Sequence, residues 1–311
     1  MILSVSRRTD IPCCYTEWFF NRLEEKRVYV RNPFNIRQIH EIEITPKTVD
    51  AIVFWTKNPE PMLGRLGLLR EFMYYFQFTL TGYKEDVEPA LADKKYLATV
   101  FSKLAERIGS ERVIWRYDPI FFNSRYTQAY HIQAFTRLAE MLEGSTRRAM
   151  ISFMDPYRRT KANAGLLNAE RLTNPSLIEF AGQLADIGAA HDIEICTCAE
   201  EIDLASAGIQ HGCCIDKKLI EELTGSQLNV KKDTSQRAYC GCAESIDIGA
   251  YNTCRNGCLY CYANYSDSLL ARSRVAFDVG APILCSQLSS GDKVVKKKMK
   301  SLKDPQMRLC L

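Results

Sequence analysis

Seven short runs of apolar, β-branched or aromatic residues, at 2–6, 51–56, 74–79, 112–116, 149–153, 193–197 and 245–250, each stop abruptly at polar residues. Stretches with apolar residues three and four apart follow most of them, at 16–26, 93–108, 127–143 and 175–191, with Gly109, Gly144 and Gly188 near their ends as stop signals. Alternation of this kind favours a parallel sheet with right-handed crossovers, because each parallel pair needs a long return path that a helix fills. Seven units predict an α/β fold built as a single (β/α) barrel or partial barrel of about seven parallel strands, with an open doubly wound sheet as the alternative.

The 311 residues suffice for one such barrel, and a composition of 46% hydrophobic and 25% charged residues excludes disordered and low-complexity classes. A net charge of +4 demands neither a nucleic-acid nor a membrane-surface partner. No apolar run approaches the roughly 18–20 residues that cross a bilayer, and the opening residues lack the layout of an export signal, so a cytoplasmic location is expected. The barrel is expected over 1–270, including a loop at 251–262, with 271–311 as an appendage. In that appendage Lys293, Lys296, Lys297, Lys298 and Lys300 are expected on the solvated face of a last helix, a nucleic-acid contact being the sharper alternative. An insertion between Asp216 and Asp247 is expected to cover the cysteine-bearing end.

Parallel strands deliver their C-terminal ends to one rim, where such barrels build active sites. The residues arriving there are Ser6-Arg7-Arg8-Thr9-Asp10, Trp55-Thr56-Lys57-Asn58, Thr79-Leu80-Thr81-Gly82, Arg116-Tyr117-Asp118-Pro119, then Ser152, Asp155, Cys198 and Glu200. Any one of them serves equally well as a helix cap or an ion-pair partner. Together they predict a polar, cation-rich rim.

Thirteen cysteines, an odd number without an export signal, point to metal or redox chemistry rather than disulfides. Only Cys13 and Cys14 precede residue 196, whereas nine fall between 196 and 261. The sharpest motif is Cys254-Arg255-Asn256-Gly257-Cys258-Leu259-Tyr260-Cys261. Thiolates spaced this way can wrap one iron–sulfur cube, Gly257 relaxing the turn, and leave one iron without a protein ligand. A zinc knuckle pairing Cys258 and Cys261 with Cys240 and Cys242 is the competing reading. A second set, Cys198, Cys214, Cys240 and Cys242, suits a second iron–sulfur cluster or zinc, closed because four ligands leave no open position; the bland reading is ordinary buried thiols. Adjacent side chains diverge in Cys213-Cys214, so one of the two is expected to ligate. Cys13, Cys14, Cys285 and Cys310 lack partner spacing. His40, His131, His191 and His211 are isolated, so di-iron and zinc-hydrolase readings lack ligands, and no phosphate loop or dinucleotide fingerprint appears.

The segment from Cys254 to Cys261, with Tyr260 before the third cysteine and a strand ahead of the first, resembles the cluster-binding signature of radical S-adenosylmethionine enzymes. That resemblance implies a 4Fe-4S cluster on Cys254, Cys258 and Cys261 and S-adenosylmethionine on its open iron, cleaved on reduction to a 5′-deoxyadenosyl radical. It implies Tyr260 as a neighbour of the cofactor and an electron donor such as a flavodoxin or ferredoxin. Nearly end to end, the chain also resembles domain of unknown function 1848. The carrying segments are Ser4-Val5-Ser6-Arg7-Arg8-Thr9-Asp10-Ile11-Pro12, Phe54-Trp55-Thr56-Lys57-Asn58-Pro59, Trp115-Arg116-Tyr117-Asp118-Pro119 and Asp247-Ile248-Gly249-Ala250-Tyr251. Radical enzymes of this kind carry the cysteine loop after their first strand, whereas here it follows the last, which implies a circularly permuted barrel. The sequence has no Gly-Gly, so the stretch that often holds the cofactor's amino group is missing. The ends Ser-x-Ser-Arg-Arg-Thr-Asp and Trp-Thr-Lys-Asn also look faintly like those of spore photoproduct lyase and related repair proteins.

A cation is needed at the cofactor's carboxylate, and Arg116 or Lys57 is the expected choice, the first as a bidentate fork and the second as a point charge. The surplus of Arg7 and Arg8 points to an anionic small-molecule substrate, unless these pair with Asp10, Asp118, Glu200 and Glu201. Three readings follow: a radical S-adenosylmethionine enzyme, a non-catalytic electron-transfer protein, or a zinc-stapled module for nucleic acid.

Overall fold

The computed structural model describes residues 1–154 and 164–304, so Asp155 and Cys310 lie outside the described residues. Its strands are β1 (Ile2–Val5), β2 (Arg27–Arg31), β3 (Gln38–Glu43), β4 (Ala51–Thr56), β5 (Tyr74–Thr79), β6 (Val113–Ile120), β7 (Arg148–Phe153), β8 (Glu194–Thr197), β9 (Gln210–His211), β10 (Ile246–Asp247) and β11 (Lys293–Lys296). Eight form an all-parallel sheet in the order β10-β1-β4-β5-β6-β7-β8-β9, a barrel-like arrangement with β9 and β10 as its ends. On β1, Leu3 pairs with Ile246 and Ser4 with Asp247 on one side, while Ile2 to Val5 pair with Ala51 to Phe54 on the other. The last strand of the sheet therefore lies beside the first.

Period-two alternation sorts these strands into two faces. Outward residues such as Phe54, Phe76, Phe78, Trp115 and Ile151 join one core with the covering helices. Inward residues begin apolar, with Ile2, Val53, Tyr75, Ile114, Met150 and Cys196 in a second core. Two residues further along each strand the inward positions become Ser4, Trp55, Gln77, Arg116, Ser152 and Cys198. The interior is thus an apolar plug below and a polar mouth above.

Helices Lys94–Ile108, Gln128–Leu142 and Asn174–Ala190 start where the side chains of Asp93, Thr127 and Thr173 accept from the first-turn amides of Lys95, Tyr130 and Ser176. Trp115 stacks on Phe135 at 4.5 Å, one of the contacts locking helix to sheet. Burying each such ring contributes about 1.5–3 kcal/mol. No described helix is long and apolar enough to cross a membrane.

The expected last helix is a correction: Lys293–Lys296 is β11, parallel to β3, with Lys296 opposite Glu41. Adjacent Val294 and Val295 favour extended backbone, and the small sheet of β11, β3 and β2 supplies the partner. The parallel strands number eight rather than about seven, because β9 has only two residues and no alternation to read. Trp18 Nε1 donates to Ala281 O at 2.8 Å, fastening the segment after residue 271 to the first helices.

Candidate functional site

A cavity of about 550 Å³ opens at the polar mouth, and seven cysteines reach it: Cys254, Cys258 and Cys261 from the loop after β10, and Cys198, Cys214, Cys240 and Cys242 from the segments around β8 and β9 and before β10. Ser235, Gln236 and Arg237 of the segment between Asp216 and Asp247 also line it.

The cysteine loop is built by latches to the first strands. Asp247 accepts from Ser4 Oγ at 3.0 Å, Ser6 Oγ at 2.6 Å, Arg7 N at 2.8 Å and Gly249 N at 2.9 Å. A Cβ on Gly249 would sit 2.0 Å from Ser6 Oγ, so only glycine lets the two chains approach this closely. Tyr15 donates its hydroxyl to Thr253 O at 2.6 Å. Asn256 Nδ2 donates at 2.9 Å to Asp10, which also accepts from Lys57 N at 2.7 Å and Cys13 N at 3.0 Å. Gly257 takes the left-handed turn at φ +68°.

Tyr260 is buried and its hydroxyl donates to Glu88, a residue that sequence reasoning did not single out. Glu88 also accepts from Lys57 Nζ at 2.7 Å, from Lys94, and from Thr81 Oγ1 at 3.0 Å. Burial alone would raise its carboxyl, but the two ammonium groups outweigh that and hold it down at about 2. Burial likewise opposes the charge on Lys57, yet Glu88 and Cys258 keep its ammonium above the usual lysine range. Lys57 Nζ lies 5.3 Å from the Tyr260 ring centre, a cation–π contact beside the cysteine loop.

Burial pushes the thiols of Cys258 and Cys261 up, while Cys254 is raised first by its hydrogen bond to Cys14 and then by burial. Three half-buried thiols that disfavour ionisation suit a cationic centre, whose charge stabilises the thiolates. Around the same cavity Arg7 Nη2, Thr9 Oγ1 and Trp55 Nε1 are buried without a hydrogen-bond partner, polar groups left over for a polar ligand. The residues present therefore fit both a metal centre and a small ligand beside it.

Cys13 and Cys14, which have no partner spacing, come to lie beside Cys254. The Cys13 and Cys14 sulfurs are 3.8 and 4.0 Å from Asn256 Oδ1, and the Cys14 thiol is pushed up by its neighbour Cys13 and drawn back by Cys254.

In the second set the Sγ atoms of Cys198, Cys240 and Cys242 all lie within 4.8 Å of one another, a buried group that can hold a metal. Cys214 lines the cavity beside them but stands outside that group. Arg116 Nη1 donates to Cys214 Sγ at 2.6 Å, its Nη2 pairs with Asp118, and its guanidinium lies 4.9 Å from the Trp55 ring centre. Arg116 and Lys57, offered by the sequence for one role, thus face different thiols. Asp118 in turn accepts from Ser152, and Glu200 accepts from Phe153 N at 3.0 Å. Among the histidines, buried His131 is bound to the Tyr117 hydroxyl at 2.8 Å and Phe121 O at 2.9 Å, a core role.

A parallel α/β sheet with a thiol-lined mouth at its strand ends defines a barrel-like protein with a metal-competent centre. The chain belongs to the family described as Domain of unknown function (DUF1848), whose profile matches residues 2–263 and so ends two residues past Cys261. No curated protein matches it.

Proposed function

We propose that this is a radical S-adenosylmethionine-type enzyme, with a 4Fe-4S cluster on Cys254, Cys258 and Cys261 and a small anionic substrate in the adjoining cavity. The observation that carries this reading is the position of β10. Counted around the sheet from β10, the strands run β10, β1, β4, β5, β6, β7, β8, β9, so the cysteine loop follows the first strand in the rotated order, where the resemblance expects it. A cluster with one iron free of protein ligands supplies, when bound, a chelation point and a single electron for cleaving a sulfonium.

The protein's own groups then have definable tasks. Lys57 and Glu88 fix Tyr260 against the loop, and their mutual ion pair keeps the Lys57 ammonium protonated beside Cys258. Arg7, Thr9 and Trp55 offer free donors to an anionic or polar group. An external one-electron donor, a flavodoxin or ferredoxin, completes the requirement.

Cys14 beside Cys254 favours one second reading, a cluster closed by a fourth thiolate and used only to pass electrons. Anaerobic reconstitution separates the two. The enzyme reading expects a spectral change on adding S-adenosylmethionine and 5′-deoxyadenosine after dithionite reduction; a cluster inert to both overturns it.

A further inference from the structure

We propose that Cys198, Cys214, Cys240 and Cys242 hold one zinc ion in a closed four-thiolate site that staples the two ends of the parallel sheet together. Three separate segments bring the sulfurs to one point. Cys198 directly follows β8, Cys214 lies three residues past β9, and Cys240 and Cys242 precede β10. Because β9 and β10 are the two ends of the sheet and do not pair with each other, an ion held by these cysteines reinforces the junction that the Ala243 N to Ile215 O bond makes between the segments beside them.

The spacing matches a single tetrahedral ion. Zinc–sulfur bonds of about 2.3 Å put sulfurs about 3.8 Å apart, so three sulfurs already within 4.8 Å of one another need to close by no more than about 1 Å. Cys214, which lines the same cavity but stands outside that 4.8 Å group, supplies the fourth corner by moving in further than the other three. Four ligands leave no open position, which defines a structural rather than a reactive centre.

The surroundings are those that thiolates require. Arg116 Nη1 donates to Cys214 Sγ at 2.6 Å and Ile215 N to Cys242 Sγ at 3.4 Å. The guanidiniums of Arg7 and Arg116 flank Trp55 at 5.5 and 4.9 Å from its ring centre. Four thiolates on a divalent ion carry a net charge of about −2, faced by these two arginines, each also held by an aspartate, Asp233 or Asp118. The ligand backbone is fixed as well: Tyr75 Oη and Gln77 Nε2 donate to Cys214 O at 2.7 and 2.8 Å, and Ala243 N donates to Ile215 O at 3.0 Å. Gly241 makes the tight passage between two ligands, since a Cβ there would come within 2.8 Å of Cys213 Sγ. Cys213 itself packs against that glycine. On loading, the thiol protons leave to solvent.

The test uses the full chain expressed with both iron and zinc supplied. One zinc per chain is expected in the wild type and in Cys258→Ala, with the zinc absorption edge reporting four sulfurs at about 2.3 Å. Absence of zinc, a shell containing oxygen or nitrogen, or iron with acid-labile sulfide persisting in Cys258→Ala would overturn the proposal. Cys240→Ser should lose the ion, and a folded variant that keeps it refutes the site; if that variant does not fold, the wild-type edge spectrum decides. Loss of 5′-deoxyadenosine in Cys258→Ala with zinc intact separates this outcome from the fate of the radical-enzyme reading.

Discussion

Two groups of thiols share one cavity and are held in opposite ways. The sulfurs of Cys198, Cys240 and Cys242 converge within 4.8 Å of one another, and Cys214 and Cys242 receive donors from Arg116 and Ile215. Cys254, Cys258 and Cys261 are positioned by polar groups attached to their loop, with Asp10 on Asn256, Glu88 on Tyr260 and Asp247 on β1. The first arrangement spends its donors on sulfur and leaves nothing open. The second immobilises the backbone and leaves the sulfurs turned to the cavity, as a reactive centre requires.

The largest effect should come from Cys258→Ala: reductive cleavage of S-adenosylmethionine falls below detection in product assays, and retained cleavage would remove the loop from the chemistry. Next is Glu88→Gln, which leaves buried Lys57 without its counter-charge and should lower stability by about 3–5 kcal/mol in urea unfolding at neutral pH. A change below about 1 kcal/mol would show that Glu88 does not anchor this side. The same carboxylate predicts acid sensitivity. Its pKa falls from 4.5 in the unfolded chain to about 2 on folding, so its contribution is fully present above pH 4.5 and is lost as pH drops from there toward 2. About 3 kcal/mol is at stake at about 1.36 kcal/mol per tenfold change in proton affinity, and Glu88→Gln should flatten that limb of the stability profile.

Arg116→Ala sharpens the contrast at intermediate size. Metal retention by the convergent thiols should weaken about 10–100-fold in chelator competition, while iron on the loop is unchanged. Weaker S-adenosylmethionine binding instead would move Arg116 to the other side of the comparison. The smallest effect is expected of Cys14→Ala, with iron content and cleavage within about twofold of the wild type. Collapse of the cluster in that variant would make the loop a four-thiolate centre as well.

Most of the scaffold was legible in the sequence because it is local. The runs 51–56 and 74–79 coincide with β4 and β5, and Asp93 and Thr127 cap helices where the apolar spacing begins. The alternation that fills the lower interior also carries Trp55, Arg116 and Cys198 to the mouth. What escaped was long-range. Glu88 sits in no motif and gains its meaning from Lys57, 31 residues away, and from Tyr260, 172 away. Cys14 meets Cys254 only once β10 lies beside β1. β11 depends on β3, more than two hundred residues earlier, and that partner overrides any helical tendency of the lysine-rich tail.

The pairing of β10 with β1 also sets a timetable. A chain emerging from the ribosome delivers β1 first and the residues that latch onto it, Asp247 and Asn256, after every other wall strand has been made. Until then Ser4, Ser6 and Asp10 wait without those partners, and the three loop sulfurs have no fixed frame. On the proposed iron–sulfur reading, cluster insertion is therefore an act of completion, following translation of the sheet rather than guiding it.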